Sequence, residues 1–283
     1  MAAKTVTSTM ACDIKSIIDY QRYPIAEFES HILREIISSA KSELKGNGIA
    51  FLPGFLLPWV IRQTILEAEE ALPDAFCKTI DHTVYLEECQ DPLLENDHAR
   101  NILCRSSKCC VTRDQIKTNS SLIQLYMSPE MTEFVRVLLD RDVLYRTADP
   151  LGDLNVHVYR ENDQLDWHFD RGQFAVTFLL QAPEGGGRFQ YIPLTRSDGN
   201  ENYDLVKQVL LASKAGQDLS ALGVKEADLQ PGTLVIICGH NSMHRVTPIE
   251  GKKSRITAVL SYEKKPNIHL NEYTRMKFCG RLK

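Results

Sequence analysis

The sequence contains no long run of lysine or arginine, and its formal net charge is −4 over 283 residues. A chain that grips a polyanion needs a basic patch to displace counterions, so a nucleic-acid partner is not expected. Residues 1–12 hold the lone Lys4 among small polar side chains and lack an apolar stretch, so neither a signal peptide nor a membrane span is expected there. Residues 1–20 read as a disordered tail. The eight cysteines, at 12, 77, 89, 104, 109, 110, 238 and 279, include no Cys-x-x-Cys pair. That spacing disfavours a zinc site at Cys104, Cys109 and Cys110, and the scatter points to free thiols in a reducing cytoplasm rather than to a disulfide framework. The run Glu184-Gly185-Gly186-Gly187 lacks a following Gly-Lys-Ser/Thr and precedes a strand pattern, so it reads as a hairpin turn and not a phosphate loop. Internal repeats and low-complexity segments are absent, and nothing sets an oligomeric state.

What is present divides into a helical front and a strand-rich back. Ser30 is placed to cap a helix whose apolar residues Ile32, Leu33, Ile36, Ile37, Ala40 and Leu44 keep the 3.6-residue period, stopped by the glycines at 46 and 48. A short strand at 49–52 and a helix opening on Pro58 follow, and Ser128-Pro129 starts another helix over 131–140. Residues 86–105 are polar and acidic and read as a long loop. From 153 onward, segments 153–159, 173–181, 188–192, 233–238 and 255–262 are rich in Val, Ile, Thr, Phe and Tyr between turn residues, the pattern of a β-sandwich or jelly roll. The expected class is mainly β with flanking helices. One domain over 21–283 is expected: a helical support with a loop at 21–145, the strand core at 146–265, and a C-terminal extension at 266–283. A helical insertion at 199–230, with the 86–105 loop, is a candidate pocket wall.

The stretch at 155–170 ends in His168-Phe169-Asp170. On a strand, the period-two pleat sends His168 and Asp170 to one face, where an imidazole and a carboxylate can share a metal ion. A second imidazole would complete the facial triad of non-haem iron(II) oxygenases, and His240 or His244 could supply it. Arg255 and Thr257 share a face of the last long strand, a guanidinium and a hydroxyl suited to a carboxylate such as one end of 2-oxoglutarate. His157 and Tyr159 share a face with Asn155, lining a pocket or filling a core. Asp166 and Arg171 bracket the metal run, either to meet the ammonium and carboxylate of an amino acid or as a solvated rim. Trp167 alternates with His168 and should pack away from the metal.

His168-x-Asp170, His244 and Arg255, in this order, resemble the iron(II)/2-oxoglutarate-dependent oxygenase superfamily, with its double-stranded β-helix (jelly-roll, cupin-like) core, over roughly 155–262. The resemblance selects His244 as the third ligand, with His240 as the alternative, and implies that Tyr159 touches 2-oxoglutarate. The run at 166–170 is similar to the Gly-Trp-His-x-Asp of several members, with Asp166 in place of glycine. Segments at 186–193 and 231–262 are similar to a bacterial group of free amino-acid hydroxylases and radical halogenases. Halogenases of that group carry a small residue where this sequence keeps Asp170, so the resemblance implies a hydroxylase. It implies Fe(II), 2-oxoglutarate and O2 as cofactors, release of succinate and carbon dioxide, and a small polar substrate, a free amino acid or related metabolite. A peptide side-chain hydroxylase and a non-catalytic cupin-like binding module are the alternatives.

Overall fold

The structure, a computed structural model, describes residues 13–87 and 90–283. Six α-helices form among the described residues, three of them where period and helix-start residues lead one to expect them. α1 (His31–Asn47) starts where Ser30 Oγ accepts from Leu33 N at 3.2 Å and stops at Gly48, whose φ of +68° suits glycine. α2 (Pro58–Ala71) opens on proline, α3 (Ser121–Met127) is short, and α4 (Pro129–Leu138) is capped by Ser128. α5 (Tyr203–Lys214) and α6 (Glu272–Phe278) come later in the chain.

The first strands are β1 (Ile49–Leu52), β2 (Phe76–Thr83), β3 (Leu103–Thr112), β4 (Tyr145–Arg146), β5 (Leu154–Tyr159) and β6 (Leu165–His168). After them come β7 (Ala175–Gln181), β8 (Gly185–Gly186), β9 (Phe189–Ile192), β10 (Lys225–Ala227) and β11 (Leu234–Ile237). The last are β12 (Met243–Val246), β13 (Ile249–Glu250), β14 (Arg255–Leu260) and β15 (Tyr262–Glu263). They make a seven-stranded antiparallel sheet, β1-β11-β7-β14-β5-β3-β2, and a four-stranded one, β10-β9-β12-β6. Two small ladders, β13-β8 and β15-β4, complete them.

The large sheet divides its residues by the pleat. Val156 and Val158, Val176, Phe178 and Leu180, Leu234 and Ile236, and Ile256, Ala258 and Leu260 point to the helix side, where Leu33, Phe55, Val60 and Phe134 meet them in the main core. The alternate residues of the same strands face the small sheet across a cavity. Packing and site thus occupy opposite faces of one sheet.

Several expectations change. The architecture is mixed α/β with a large antiparallel sheet resembling an oxygenase jelly-roll core, rather than mainly β, and among the described residues the sheets do not join into a closed barrel. Strands β2 and β3 were not expected: they extend the sheet beyond 146–265, and the loop ends where β3 begins at Leu103. Their Ser, Cys and Lys content is weak in β-propensity, because pairing and position rather than side-chain preference fix them. Of the expected tail, residues 1–12 lie outside the described residues. From Asp13 the chain is packed, with Ile14, Ile17 and Ile18 buried in the main core. The glycine run is no hairpin turn: Gly185 and Gly186 pair with Glu250 and Ile249, carrying the chain from the large sheet to the small one. Cys77 and Cys109, directly opposite on β2 and β3, are joined by a disulfide, whereas Cys104, Cys110, Cys238 and Cys279 are free. No helix among the described residues is long and apolar enough to cross a membrane.

Candidate metal centre and cosubstrate pocket

Strands β6 and β12 pair antiparallel with His168 directly opposite His244, so the register alone brings two imidazoles together, their ring centres 4.2 Å apart. Asp170 lies just past β6 and is anchored by its own N–H, which donates to Gly239 O at 3.0 Å. His168 Nε2 is 3.6 Å from Asp170 Oδ1, and His244 Nε2 is 3.7 Å from Oδ2. One ligand atom from each residue falls within 4.8 Å of the others.

The far side of each ring sets its tautomer. Nδ1 of His168 lies 2.8 Å from Asp166 O, and Nδ1 of His244 lies 2.8 Å from Ser242 O. A carbonyl only accepts, so both Nδ1 atoms carry the proton and both Nε2 lone pairs face the centre. Burial, and next the neighbouring His244, push the pKa of His168 well below its ordinary value, so the imidazole is neutral, as a metal ligand must be. Asp170 Oδ2 is buried without a hydrogen-bond partner, which leaves an acceptor oxygen that a cation would satisfy. Two imidazole nitrogens and one carboxylate on a single side fit non-haem iron(II) and leave its other positions open.

Trp167 and Phe169 alternate with the ligands and point the other way, into a second apolar cluster with Val206, Val209 and Leu210 of α5. Arg196 lies 4.2 Å above the Phe169 ring, and Arg245 lies 4.8 Å above Trp167. The helical insertion therefore buttresses the metal strand from behind. His240 does not join the triad: its Nδ1 lies 3.2 Å from Arg196 Nη2 and 3.3 Å from Asp170 O.

Gly239 is required by close approach. A Cβ there would fall 1.8 Å from Asp170 Oδ2. Gly239→Ala must displace the carboxylate, and iron affinity is expected to fall about 10–100-fold, as for other changes that misplace a ligand. Anaerobic iron titration with circular dichroism as a folding control checks this; unchanged affinity would show that the carboxylate does not depend on that approach.

The cavity between the sheets has a volume of about 600 Å³ and is lined by the triad together with Lys108, His157, Tyr159, Arg255 and Thr257. Arg255 is only 4% exposed, and no carboxylate of the described residues lies within ion-pair distance of it. Its Nη1 donates to Thr257 Oγ1, and its guanidinium stands 5.8 Å from the Tyr159 ring. The strand register sets this group: Arg255 is opposite Tyr159, and Thr257 is opposite His157. Burial raises the pKa of Tyr159, which keeps it a phenol and hence a hydrogen-bond donor.

The walls differ from expectation. Among the described residues, Leu229 is the insertion's only lining residue, and Leu86 is the only one from 86–105. Phe76 and Ile80 of β2, with Leu270, Thr274 and Phe278 of the C-terminal segment, build that side instead. Asp166 does not line the cavity; its carboxylate accepts from Trp167 N at 2.8 Å. Arg171 is exposed at the rim and donates to Leu86 O at 2.6 Å. Lys108 escaped the sequence reading, although the alternation of Cys104, Ser106, Lys108 and Cys110 with Ser107, Cys109 and Val111 was the signal that marks one face of a strand.

A sequence profile of the family described as Halogenase D matches residues 38–277. No curated protein matches. Among solved structures, AviO1 from Streptomyces viridochromogenes Tue57 is similar at 14% identity and a TM-score of 0.52, covering 82% of this chain and 96% of its own. SnoN, a non-heme alpha-ketoglutarate-dependent epimerase from nogalamycin biosynthesis, is similar at 12% identity and a TM-score of 0.53, over 81% of this chain and 83% of its own. The carbocyclase SnoK from the same biosynthesis has 11% identity and a TM-score of 0.51, over 84% of this chain and 89% of its own. At these identities the likeness concerns the fold. With the profile spanning most of the sequence and His168, Asp170 and His244 assembled as a facial triad, the chain belongs to the Halogenase D family, as an iron(II)/2-oxoglutarate oxygenase-type domain whose cofactors are Fe(II), 2-oxoglutarate and O2.

Proposed function

We propose that this protein hydroxylates an unactivated C–H bond of a small polar molecule, a free amino acid or related metabolite, and does not halogenate it. The observation that carries this reading is Asp170, whose carboxylate reaches both imidazoles at 3.6 and 3.7 Å and so takes the position that a halide on the metal would need. We read the two sheets as the halves of a double-stranded β-helix and the described chain as one domain, because both sheets wall the same cavity. Four free cysteines accord with a cytoplasmic location, to which the Cys77–Cys109 disulfide is the exception.

His168, Asp170 and His244 would hold the iron. Bound iron with 2-oxoglutarate and dioxygen supplies oxidative decarboxylation to succinate and carbon dioxide, coupled to transfer of oxygen to the substrate. Arg255 and Thr257 would take the far carboxylate of 2-oxoglutarate, and the Tyr159 phenol would donate to it. Leu179, Val235 and Ile237 exclude water from that end of the cavity. A pocket of about 600 Å³ between two sheets suits a small molecule, within the ~300–1,000 Å³ of such sites, better than an extended peptide.

The test is a screen of amino acids and small metabolites for stimulated succinate formation in chloride buffer, read by mass spectrometry. A gain of one oxygen is expected. A product that gains chlorine would overturn the reading, and so would wild-type protein that develops no visible charge-transfer band when loaded anaerobically with iron and 2-oxoglutarate.

A further inference from the structure

Lys108 is a cavity-lining cation whose attractions, from Cys110 and then Asp170, act over more than ion-pair distance. It lies on the cavity face of β3, and no carboxylate of the described residues is within ion-pair distance of its ammonium. Its hydrogen-bonding neighbour is the ring of His157, with Nζ 3.1 Å from Nδ1 and 3.3 Å from Nε2. Burial, and next Lys108 itself, hold that imidazole neutral, so it accepts a hydrogen bond without cancelling charge. The nearby Cys110 thiol is pulled below its ordinary pKa by Cys279 first, but no hydrogen bond joins Lys108 to it.

The partner strand adds a second cation. β2 and β3 pair with Lys78 directly opposite Lys108, both lining the cavity, and Lys78 has no acidic partner either. Like charges facing each other across a ladder destabilise a sheet, and an anion between or above them removes that cost. Lys78 is exposed and Lys108 partly buried, and both line the cavity that holds the triad. The charge balance agrees. Iron(II) and the Arg255 guanidinium would be offset by Asp170 and the two carboxylates of 2-oxoglutarate, which leaves Lys108 as a cavity-lining cation without a carboxylate in ion-pair contact.

We propose that Lys108 is the specificity-determining residue for the substrate and binds a substrate carboxylate, with Lys78 attracting that group as well. The substrate is thereby assigned to small carboxylic acids that keep their acid group free, oriented so that the opposite end of the molecule approaches the triad. This rests on the oxygenase reading above, whose cosubstrate occupies Arg255.

The experiment uses full-length protein loaded anaerobically with iron(II) and 2-oxoglutarate. It is dialysed to equilibrium against the twenty protein amino acids, their carboxamides and their aminophosphonic counterparts, with retained ligands identified by mass spectrometry. Retention of one or more free acids is expected, with the matching carboxamides about tenfold weaker or worse. Lys108→Met should lose the same about tenfold while the 2-oxoglutarate charge-transfer band titrates as in wild type, and Lys108→Arg should recover part of the loss. Lys78→Met should weaken retention less, and Cys110→Ser should keep the preference for the acid. Equal retention of acids and carboxamides, retention of phosphonates alone, or no retention with the band present overturns the proposal and spares the oxygenase reading. Loss of the band in Lys108→Met, with an unchanged melting curve, also overturns it, because Lys108 would then serve 2-oxoglutarate. Absence of the band in wild type overturns both.

Discussion

A His244→Ala variant is expected to bind iron(II) about 100-fold more weakly than wild type or worse, since disturbing even the outer partners of a metal ligand costs about 10–100-fold. His240→Ala should bind it within about threefold of wild type, a difference of well under 1 kcal/mol. The two histidines are four residues apart, yet only one shares the centre. His244 sits on β12 opposite His168, and its Nε2 is 3.7 Å from the Asp170 carboxylate. His240 sits in the turn before β12 and holds Arg196 and the Asp170 backbone. Anaerobic iron titrations of both variants decide the matter. Retained affinity in His244→Ala with loss in His240→Ala would exchange the assignments.

Arg255→Met is expected to act in opposite directions on stability and on binding. In the ligand-free protein it removes a buried cation without a carboxylate partner, and burial depresses the pKa of that guanidinium, the sign of an unfavourable environment for its charge. The unloaded variant should therefore melt at the wild-type temperature or above it. With 2-oxoglutarate present the order reverses, because a buried, charge-assisted contact to a carboxylate is worth about 2–5 kcal/mol and its loss should weaken cosubstrate affinity about 30-fold or more. Thermal melting with and without 2-oxoglutarate, beside the charge-transfer titration, reads both halves. A variant destabilised when unloaded yet unimpaired in 2-oxoglutarate binding would make Arg255 a packing residue.

The metal run and its partners were legible in the sequence because the chemistry is local at each point. His168 and Asp170 are two residues apart on an extended chain, and Arg255 with Thr257 repeats that spacing on β14. Helices α1, α2 and α4 were legible from their starts and period, since Ser30, Pro58 and Ser128 act within one turn of themselves, whereas α5 was legible only as a helical insertion without a cap. Strands β2 and β3 were not. Their place depends on pairing with β5, fifty residues on, and the face that meets the cavity carries Ser106, Lys108 and Cys110 where a strand pattern would show apolar residues. The pocket wall was misplaced for the same kind of reason: α5 lies between two strands in sequence, but its apolar stripe packs behind Trp167 and Phe169, and the C-terminal segment covers the cavity side instead. The Cys77–Cys109 pairing likewise follows from a register that no spacing of cysteines reveals.

The pleat of the large sheet has a consequence for how such a pocket can change. Val156, Val158, Val176 and Phe178 keep the sheet on its helices, while Asn155, His157, Thr177 and Leu179, one step along the same strands, line the cavity. An exchange at the second set alters what the pocket accepts and leaves the helix interface untouched. Insertion of a single residue does the reverse, turning every later side chain of that strand to the wrong face. In this chain, point substitution along β5 and β7 can therefore change the pocket's surface, whereas a one-residue insertion in the same strands would exchange core and cavity faces.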